Sequence, residues 1–196
     1  KGSDEWREIV ELIWFPTGGG KTEAYLAAAS FSMFFRRFKD NNDNGTEVIM
    51  RYTLRLLTAQ QFQRATALIC AMEYLRSQNE KELGAEEFSI GIWLGSSFTP
   101  NFRKNYSPMS PGAIQVVNGL KKGDRGTKNK LLVIRCPWCA AQIGPPRPDQ
   151  KEVKQKAKSC DATQAPGYDI YGKTILIGCI DKSCHFFINR RMGGLP

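Results

Sequence analysis

The sequence contains no apolar run of 18 residues, the length that a membrane-spanning helix needs, so we expect no membrane span. Its first residues lead into no hydrophobic segment of the signal-peptide kind, which favours a cytoplasmic protein. No internal repeat is visible beyond two pairs of cysteines. Apolar residues make up 41% of the chain, an ordinary share that argues against disorder throughout, and 196 residues suffice for one sizeable core or for one domain with an insertion.

Acidic residues are scarce in one middle segment. Residues 101–160 hold 13 Lys and Arg but only 3 Asp and Glu. Residues 1–100, by contrast, hold 11 Lys and Arg and 13 Asp and Glu. This basic excess predicts contact with a polyanion such as nucleic acid. A solvated loop whose lysines only keep the protein soluble would have the same composition, so both interpretations stay open.

Hydrophobic periodicity predicts strands that alternate with helices in the first half of the chain. Strands are expected over residues 9–15, 47–53 and 88–94, and helices over 22–38 and 57–77, with a polar loop over 40–45. Strands joined by helical crossovers indicate an α/β fold with a parallel sheet. The first helix is apolar on most sides and is expected to be largely buried.

The second half is predicted to be more irregular. We expect a short helix over residues 111–120, strands over 131–135, 173–178 and 186–189, and a flexible basic loop over 144–168. That loop is rich in proline and lysine and poor in large apolar residues, a composition that does not support a packed core.

A glycine-rich loop lies between the first predicted strand and the first predicted helix. The order strand, glycines, Lys21, Thr22, helix is that of a phosphate-binding loop, whose backbone N–H groups surround a phosphate. Lys21 would reach the β- and γ-phosphates of ATP, and the Thr22 hydroxyl would bind Mg²⁺. Phe15 stands where the general pattern has its first glycine. The predicted ATP-binding residues are Thr17, Gly18, Gly19, Gly20, Lys21, Thr22 and Glu23, with Lys21 and Thr22 as the catalytic pair.

A second polar stretch joins the second strand to the second helix. In doubly wound sheets, ligands bind at the carboxyl ends of the strands, so this stretch should lie on the same edge as the phosphate loop. Thr53, Arg55 and the start of the second helix are predicted to contact the backbone of a nucleic acid, although Arg55 could instead form a local ion pair. Gly95 and Ser96, after the third strand, could add a phosphate contact or form an ordinary turn.

Four cysteines are arranged as a metal-binding set. Cys136 and Cys139 form one pair and Cys179 and Cys184 the other, and each pair follows a predicted strand. Four thiolates close the tetrahedral coordination of Zn²⁺, so the site would be structural and form a zinc ribbon. Cys160 or His185 could replace one ligand, whereas Cys70, within a helix, fits a small buried side chain better. A redox Cys-x-x-Cys lacks the thioredoxin-like context here.

Taken together, these segments resemble a known family. They comprise residues 15–26 with the glycine loop, the runs 51–58 and 60–65, the strand 88–93 and the split cysteine ribbon. They are similar to the helicase component of the DISARM bacterial anti-phage defence system, the DrmA family, and more broadly to superfamily 2 helicases and translocases. The resemblance implies a RecA-like P-loop NTPase lobe, an ATP-dependent helicase or translocase that acts on DNA, and a partner protein subunit. The motif positions matched for nucleic-acid contact are Arg55 and Gln60.

The chain departs from that family in lacking an Asp-Glu-x-His or Asp-Glu-x-Asp box and the motifs of a second RecA-like lobe. Because hydrolysis needs those groups to orient water and neutralise charge, we expect this chain to bind ATP without turnover. Residues 1–130 are assigned to part of the first RecA-like lobe and residues 131–190 to the zinc-ribbon insertion. The alternative function is a zinc-ribbon module that binds nucleic acid or docks a protein and has no ATPase activity.

Overall fold

Three of the four helices in the described residues form where apolar residues recur at helical spacing, and the fourth is a single turn of four residues. The computed structural model describes residues 20–51, 55–105, 111–124, 126–145 and 165–188, with 55–59 described by their backbone alone. Within these residues the elements are α1 (Lys21–Lys39), α2 (Arg55–Gln78), α3 (Glu80–Leu83), α4 (Ala113–Lys121), β1 (Tyr168–Tyr171) and β2 (Thr174–Ile177). The predictions of α1, α2 and α4 are confirmed to within two residues at each end, and the loop after α1 is confirmed as well.

A buried arginine of α1 holds the segment that follows α3. Arg37 is 3% exposed, and its guanidinium donates hydrogen bonds to the carbonyls of Leu83 at 3.1 Å and Glu86 at 2.8 Å. The same guanidinium lies 5.0 Å from the ring centre of Phe88, which meets Phe34 edge to face. These contacts fix the segment against α1, because a buried guanidinium must satisfy its donors.

A second buried arginine holds the same segment to α2. Arg76 is paired with Glu73 on the same helix through bonds of 2.7 to 2.9 Å, and it donates to the carbonyl of Gly84 at 2.8 Å. Glu73 in turn accepts the backbone N–H of Phe88 at 3.0 Å. The segment 84–88 therefore ties α1 to α2 through polar groups that are shielded from water.

The predicted parallel sheet is not formed by the described residues. The parts of the predicted strands 47–53 and 88–94 that are described have no strand pairing, while the strand 9–15 lies outside the described residues. Ile49 is 88% exposed and Trp93 is 95% exposed. A strand is stable only beside a partner that accepts its hydrogen bonds, and in the described part of the chain neither segment has one.

The prediction that α1 is largely buried is wrong. Within α1, Ala29 and Arg37 are buried, whereas Phe31 is 70% exposed and Phe38 is 61% exposed. An apolar helix face becomes buried only when another apolar layer covers it. The sheet that was expected to provide that layer is the one that the described residues do not form.

The second half of the chain contains a short hairpin. β1 and β2 pair antiparallel with Tyr168 opposite Ile177, and their two-residue turn has Gly172 at φ 57°. β2 confirms the predicted strand 173–178, whereas β1 was not predicted, and only its first residue, Tyr168, belongs to the predicted loop 144–168. Residues 146–164 of that loop lie outside the described residues. Its end is not a flexible loop, because Ala165 and Tyr168 are buried.

Helix α4 covers this hairpin. The buried side chains that join them are Val116, Val117, Leu120, Ala165 and Tyr168. The predicted strands 131–135 and 186–189 are represented only by isolated bridges, Arg135 with Gln142 and Cys179 with Phe187. Apolar contact between α4 and β1 crosses residue 130, the predicted boundary between two domains, and that boundary remains a prediction.

Candidate metal centre

The first cysteine pair lies on a tight turn. The N–H of Cys136 donates to the carbonyl of Ala141 at 2.8 Å, and the N–H of Ala140 donates to the carbonyl of Cys136 at 2.9 Å. These two bonds close a loop of four residues and bring Cys139 back toward Cys136. Ala140 has φ 63°, the left-handed conformation that the turn requires immediately after its second cysteine.

The second pair lies on a wider turn. The N–H of Cys179 donates to the carbonyl of Phe186 at 2.8 Å, and the carbonyl of Cys179 accepts the N–H of Ile188 at 2.9 Å. Inside the turn, the N–H of Cys184 donates to the carbonyl of Asp181 at 3.0 Å, and the N–H of Asp181 donates to the Cys179 sulfur at 3.3 Å. The extra residues between the two cysteines are therefore accommodated by turn hydrogen bonds.

A glycine brings the two turns together. The N–H of Gly167 donates to the carbonyl of Ile143 at 2.9 Å, and its own carbonyl accepts the N–H of Gly178 at 3.0 Å. A Cβ at Gly167 would lie 2.4 Å from the Cβ of Ile143, a distance that real contacts do not reach. Residues 131–145 and 165–188, called the cysteine unit below, are thus joined at a point where no side chain fits.

The four sulfur atoms have the separation that a tetrahedral metal site requires. The Sγ atoms of Cys136, Cys139, Cys179 and Cys184 all lie within 4.8 Å of one another. Cys136 and Cys184 are 3.8 Å apart and Cys139 and Cys179 are 3.4 Å apart. Zn²⁺ bound by thiolates at about 2.3 Å places neighbouring sulfurs about 3.8 Å apart. The prediction of a four-cysteine cluster that could hold a metal such as zinc is confirmed, while the identity of the ion stays a prediction.

The environment of the sulfurs favours a bound cation. Cys136, Cys179 and Cys184 are buried, and Cys139 is exposed. Burial raises the pKa of the Cys179 thiol to about 11 and also raises the pKa of Cys184. Burial acts in the same direction on Cys139, but the N–H of Ala141 and the neighbouring sulfurs outweigh it and lower that pKa. Buried thiolates are costly without a positive charge beside them, and a divalent cation at the centre supplies it.

His185, one of the two alternative ligands, is not in the cluster. The ring of His185 contacts Tyr74 at 5.0 Å and Phe186 at 5.0 Å between ring centres, and within the described residues the metal-binding group is cysteine only. Cys160 lies outside the described residues. Cys70 packs from α2 against the cysteine cluster as a partly buried side chain, in agreement with the apolar role predicted for it.

An aromatic contact that the sequence did not reveal attaches the cluster to α2. Tyr74 of α2 packs 5.3 Å from Trp138, which lies between the two cysteines of the first turn, and Trp138 packs 5.7 Å from Phe186. The exposed position of Tyr74 on a helix gave no signal of its own. The Trp within a Cys-x-x-Cys turn was a usable hint, because large aromatic groups there commonly pack on a neighbouring element.

Ala140→Gly is expected to stabilise the cysteine unit. An L-residue in the left-handed region costs about 1 to 2 kcal/mol, and glycine relieves this cost while adding about 0.5 to 1 kcal/mol of unfolded-chain entropy. The net gain should be about 0.5 to 1 kcal/mol in urea unfolding of the zinc-loaded protein. Ala141→Gly, one residue along, serves as the control and should be destabilising. A loss of stability in Ala140→Gly would show that its φ is not strained.

The predicted ATP-binding residues that the structure describes lie at the start of α1. Gly20 has φ 82°, and α1 begins with Lys21, which is exposed, followed by Thr22. The hydroxyl groups of Tyr25 and Thr22 are hydrogen-bonded at 3.2 Å, and Glu23 forms an ion pair with Arg64 of α2. Thr17, Gly18 and Gly19 lie outside the described residues.

The predicted nucleic-acid residues are only partly placed. Gln60 is exposed on α2, and Gly95 and Ser96 are exposed in a turn where the carbonyl of Ser96 accepts the Lys130 ammonium at 2.7 Å. Thr53 lies outside the described residues, and Arg55 is described by its backbone alone. These assignments therefore remain predictions.

Two residues of α2 that contact α1 were missed by the sequence analysis. Gln61 accepts a hydrogen bond from the Tyr25 hydroxyl at 3.2 Å, and Arg64 pairs with Glu23. They are three apart and so share one face of the helix. That spacing was a usable signal, but it does not identify which helix the face contacts.

The described part of the chain contains no helix that is both long enough and apolar enough to cross a membrane.

Comparison with known proteins gives one curated relative. The chain is 37% identical over 201 aligned residues to DISARM protein DrmA of Bacillus paralicheniformis (strain ATCC 9945a / NCIMB 11709 / CD-2). The alignment covers 90% of this chain and 17% of the relative, so the chain corresponds to a small part of that protein's length. The resemblance inferred from the motifs is thereby confirmed. No family model matches the chain, and no solved structure matches it.

Proposed function

We propose that the chain is the ATP-binding and DNA-gripping part of an ATP-dependent helicase or translocase of bacterial anti-phage defence. The similarity to a DISARM protein over 90% of the chain supports this proposal. The helicase activity, the DNA substrate and a partner protein subunit all belong to the proposal, since the chain spans 17% of that relative. The remainder of the first RecA-like lobe would surround the start of α1.

The start of α1 carries the nucleotide part of the proposal. The first helical hydrogen bond runs from the N–H of Ala24 to the carbonyl of Gly20 at 3.0 Å. The N–H groups of Lys21, Thr22 and Glu23 therefore precede the helical ladder and are available to an anion, with the positive end of the helix dipole behind them. Gly20 in a left-handed conformation leaves its backbone free of a side chain on this approach. This is the arrangement in which helix N-termini bind phosphate.

The roles of the individual groups follow from this geometry. Lys21 would neutralise the β- and γ-phosphates, and the Thr22 hydroxyl would be a ligand of Mg²⁺. Tyr25 bridges Thr22 of α1 to Gln61 of α2. If nucleotide binding gave the Thr22 hydroxyl a new partner, the hydrogen bond between Tyr25 and α2 would therefore change as well. Since α2 carries Gln60 in its first turns, this contact offers a route by which ATP could alter the grip on nucleic acid.

The cysteine unit supplies a rigid base for the basic segment. A four-thiolate zinc site has no open coordination position, so its role is structural. Zinc would hold the two cysteine turns together, and their aromatic contact with Tyr74 would fix the unit on α2. The chain is expected to bind ATP without hydrolysing it, because it holds no Asp-Glu box.

Lys21→Ala is expected to lower the affinity for Mg²⁺-ATP by at least about tenfold. One charged hydrogen bond to a phosphate contributes about 1.5 to 3 kcal/mol of binding free energy, and the variant loses it. Titration calorimetry of the zinc-loaded chain measures this directly. Lys39→Ala is the matched control, since Lys39 lies at the far end of the same helix, over the ring of Phe35. The control should bind ATP as the unchanged chain does.

Two results would contradict the nucleotide part of the proposal. One is equal ATP affinity in the Lys21 and Lys39 variants. The other is the absence of Mg²⁺-ATP binding to the unchanged chain when its helix content and zinc are intact. That second result would favour the alternative of a zinc-ribbon module that binds nucleic acid or a protein.

A further inference from the structure

An ion pair joins α2 to the first turn of α1, beside the proposed nucleotide site. The guanidinium of Arg64 on α2 contacts Oε1 of Glu23. One turn earlier on the same face of α2, Gln61 accepts a hydrogen bond from the hydroxyl of Tyr25, which also contacts Thr22. Helix α2 therefore reaches both Thr22 and Glu23, two of the residues that are predicted to bind ATP.

The Glu23 carboxylate is turned toward the N-terminal end of α1. A Cβ at Gly20 would lie 4.0 Å from Glu23 Oε2, while the other oxygen, Oε1, contacts Arg64. The carboxylate thus lies between the glycine at the helix start and the guanidinium. Negative charge is favoured at this end of a helix, where the first backbone N–H groups have no helical acceptor. A phosphate in the place of this carboxylate would meet both the helix start and Arg64.

The ion pair is open to solvent and easily exchanged. The side chains of Arg64 and Glu23 are 45% and 62% exposed. Exposed ion pairs contribute little to stability, because water screens the charges and two long side chains must be held in one geometry. The fork of a guanidinium matches phosphate oxygens as well as it matches a carboxylate, and a polyphosphate carries more negative charge than one carboxylate does. Exchange of the carboxylate for a phosphate is therefore favourable for Arg64.

We propose that Arg64 is a phosphate-binding residue of the nucleotide site, and that Glu23 holds its guanidinium in position until the nucleotide binds. When Mg²⁺-ATP binds, the guanidinium exchanges the Glu23 carboxylate for an oxygen of the polyphosphate, which Lys21 contacts from the helix start. This inference rests on the proposed function, because it requires a nucleotide at the start of α1. It adds a ligand that comes from α2, so the bound nucleotide holds α1 and α2 together.

Arg64→Gln is expected to weaken the binding of Mg²⁺-ATP about tenfold, because one charge-assisted contact with phosphate is lost. Arg64→Lys should lose only about threefold, since the charge remains but the paired N–H···O geometry does not. Titration calorimetry of the zinc-loaded chain measures both affinities. Equal affinity of the unchanged chain and Arg64→Gln would overturn the proposal.

Mg²⁺-tripolyphosphate distinguishes a contact with the phosphates from one with the base or sugar. It should bind the unchanged chain, and Arg64→Gln should weaken it by about the same factor of ten as ATP, because the lost contact is to phosphate in both ligands. A loss that is confined to ATP would overturn the assignment of Arg64 to the phosphates. Failure of tripolyphosphate to bind the unchanged chain would overturn it as well.

The double variant of Glu23 and Arg64 separates a direct contact from an indirect one. Glu23→Gln removes the carboxylate that competes with phosphate, so ATP should bind about threefold more tightly. In that background, Arg64→Gln should still weaken ATP at least about tenfold, because the guanidinium contacts the phosphate itself. No effect of Arg64→Gln in that background would show that Arg64 only neutralises Glu23. Weaker ATP binding in Glu23→Gln alone would show that the carboxylate does not compete.

Two neighbouring residues of α3 provide matched charge controls. Lys81 and Glu82 are exposed and lie beside Phe38 and Lys39, at the far end of α1. Lys81→Gln and Glu82→Gln change the net charge as the two test variants do, but they should leave the affinity for Mg²⁺-ATP within about twofold, because solvent screens distant charges. An equal loss in Lys81→Gln and Arg64→Gln would attribute the effect to net charge and overturn the proposal.

Failure of this inference is distinguishable from failure of the proposed function. Lys21→Ala tests the nucleotide site without changing Arg64. If Lys21→Ala loses affinity for ATP while Arg64→Gln keeps it, the nucleotide site stands and the role of Arg64 is wrong. If the unchanged chain does not bind Mg²⁺-ATP while its helix content and zinc are intact, both are contradicted.

Discussion

Cys179→Ser is expected to release bound zinc and to unfold the cysteine unit. Cys179 is 1% exposed, its backbone pairs with both Phe186 and Ile188, and its sulfur is one of the four in the cluster. The apolar core around it is small, and three of its five buried residues are themselves cysteines. Such a unit has little apolar surface to hold it without metal, so metal binding and folding should be coupled.

Hydrogen exchange measures this effect residue by residue. In Cys179→Ser, or after chelation of the unchanged chain, amides of residues 131–145 and 165–188 should lose about a hundredfold or more of their protection, which corresponds to about 2.7 kcal/mol. Amides in the middle of α1 should change far less, because α1 is attached through the segment 84–88 rather than through the cysteine unit. Metal analysis should give one zinc per unchanged chain and much less in the variant.

Cys70→Ser is the matched control for this prediction. Cys70 packs against the same cluster from α2 but contributes no sulfur to the four-cysteine group. It should keep its zinc and its exchange protection, with only a modest loss of stability for a polar replacement at a partly buried site. Unchanged protection of the cysteine unit after complete chelation would contradict a structural role for the metal.

The local parts of this fold were predictable from the sequence. The sequence predicted the helices α1, α2 and α4 correctly, because the apolar spacing that marks a helix is set by residues close together in the chain. The cysteine pairs were predictable for the same reason, because one short turn sets the spacing of the two cysteines in each pair. That the two pairs meet was inferred from the four-coordinate preference of zinc, although 40 residues separate Cys139 from Cys179.

The non-local parts were not predictable in this way. The segments around Ile49 and Trp93 have apolar residues typical of strands, but strand formation depends on partners distant in sequence. β1 was not predicted, because Tyr168 ends a stretch rich in proline and lysine that was assigned to a loop, and its burial under α4 places it in the core. Lys173 lies near the segment around residue 103 in the structure, and no short-range pattern encodes that proximity.

Glu73→Ala is expected to destabilise the helical part of the chain by about 3 to 5 kcal/mol, the usual effect of removing one partner of a buried ion pair. The side chains of Arg76 and Glu73 are 6% and 8% exposed, and the hydrogen bond to Glu73 raises the pKa of Arg76. Without that carboxylate, the shielded charge of Arg76 keeps only the exposed Glu80 at 3.5 Å as an ionic partner among the described residues, and the N–H of Phe88 loses its acceptor at 3.0 Å. Urea unfolding followed by circular dichroism should show the loss as a lower midpoint with an unchanged slope.

Two further variants distinguish the destabilisation caused by an unpaired buried charge from that caused by loss of side-chain atoms. Glu73→Leu combined with Arg76→Met should recover most of the stability, because apolar residues of similar size replace a buried ion pair without leaving a charge behind. Asp169→Ala breaks the more exposed pair with Lys121, whose side chains are 27% and 38% exposed, and should cost less than about 1 kcal/mol. If Glu73→Ala costs no more than Asp169→Ala, the ion pair does not hold the segment 84–88 between α1 and α2. In that case the hydrogen bonds of Arg37 to Leu83 and Glu86 would have to fix that segment by themselves.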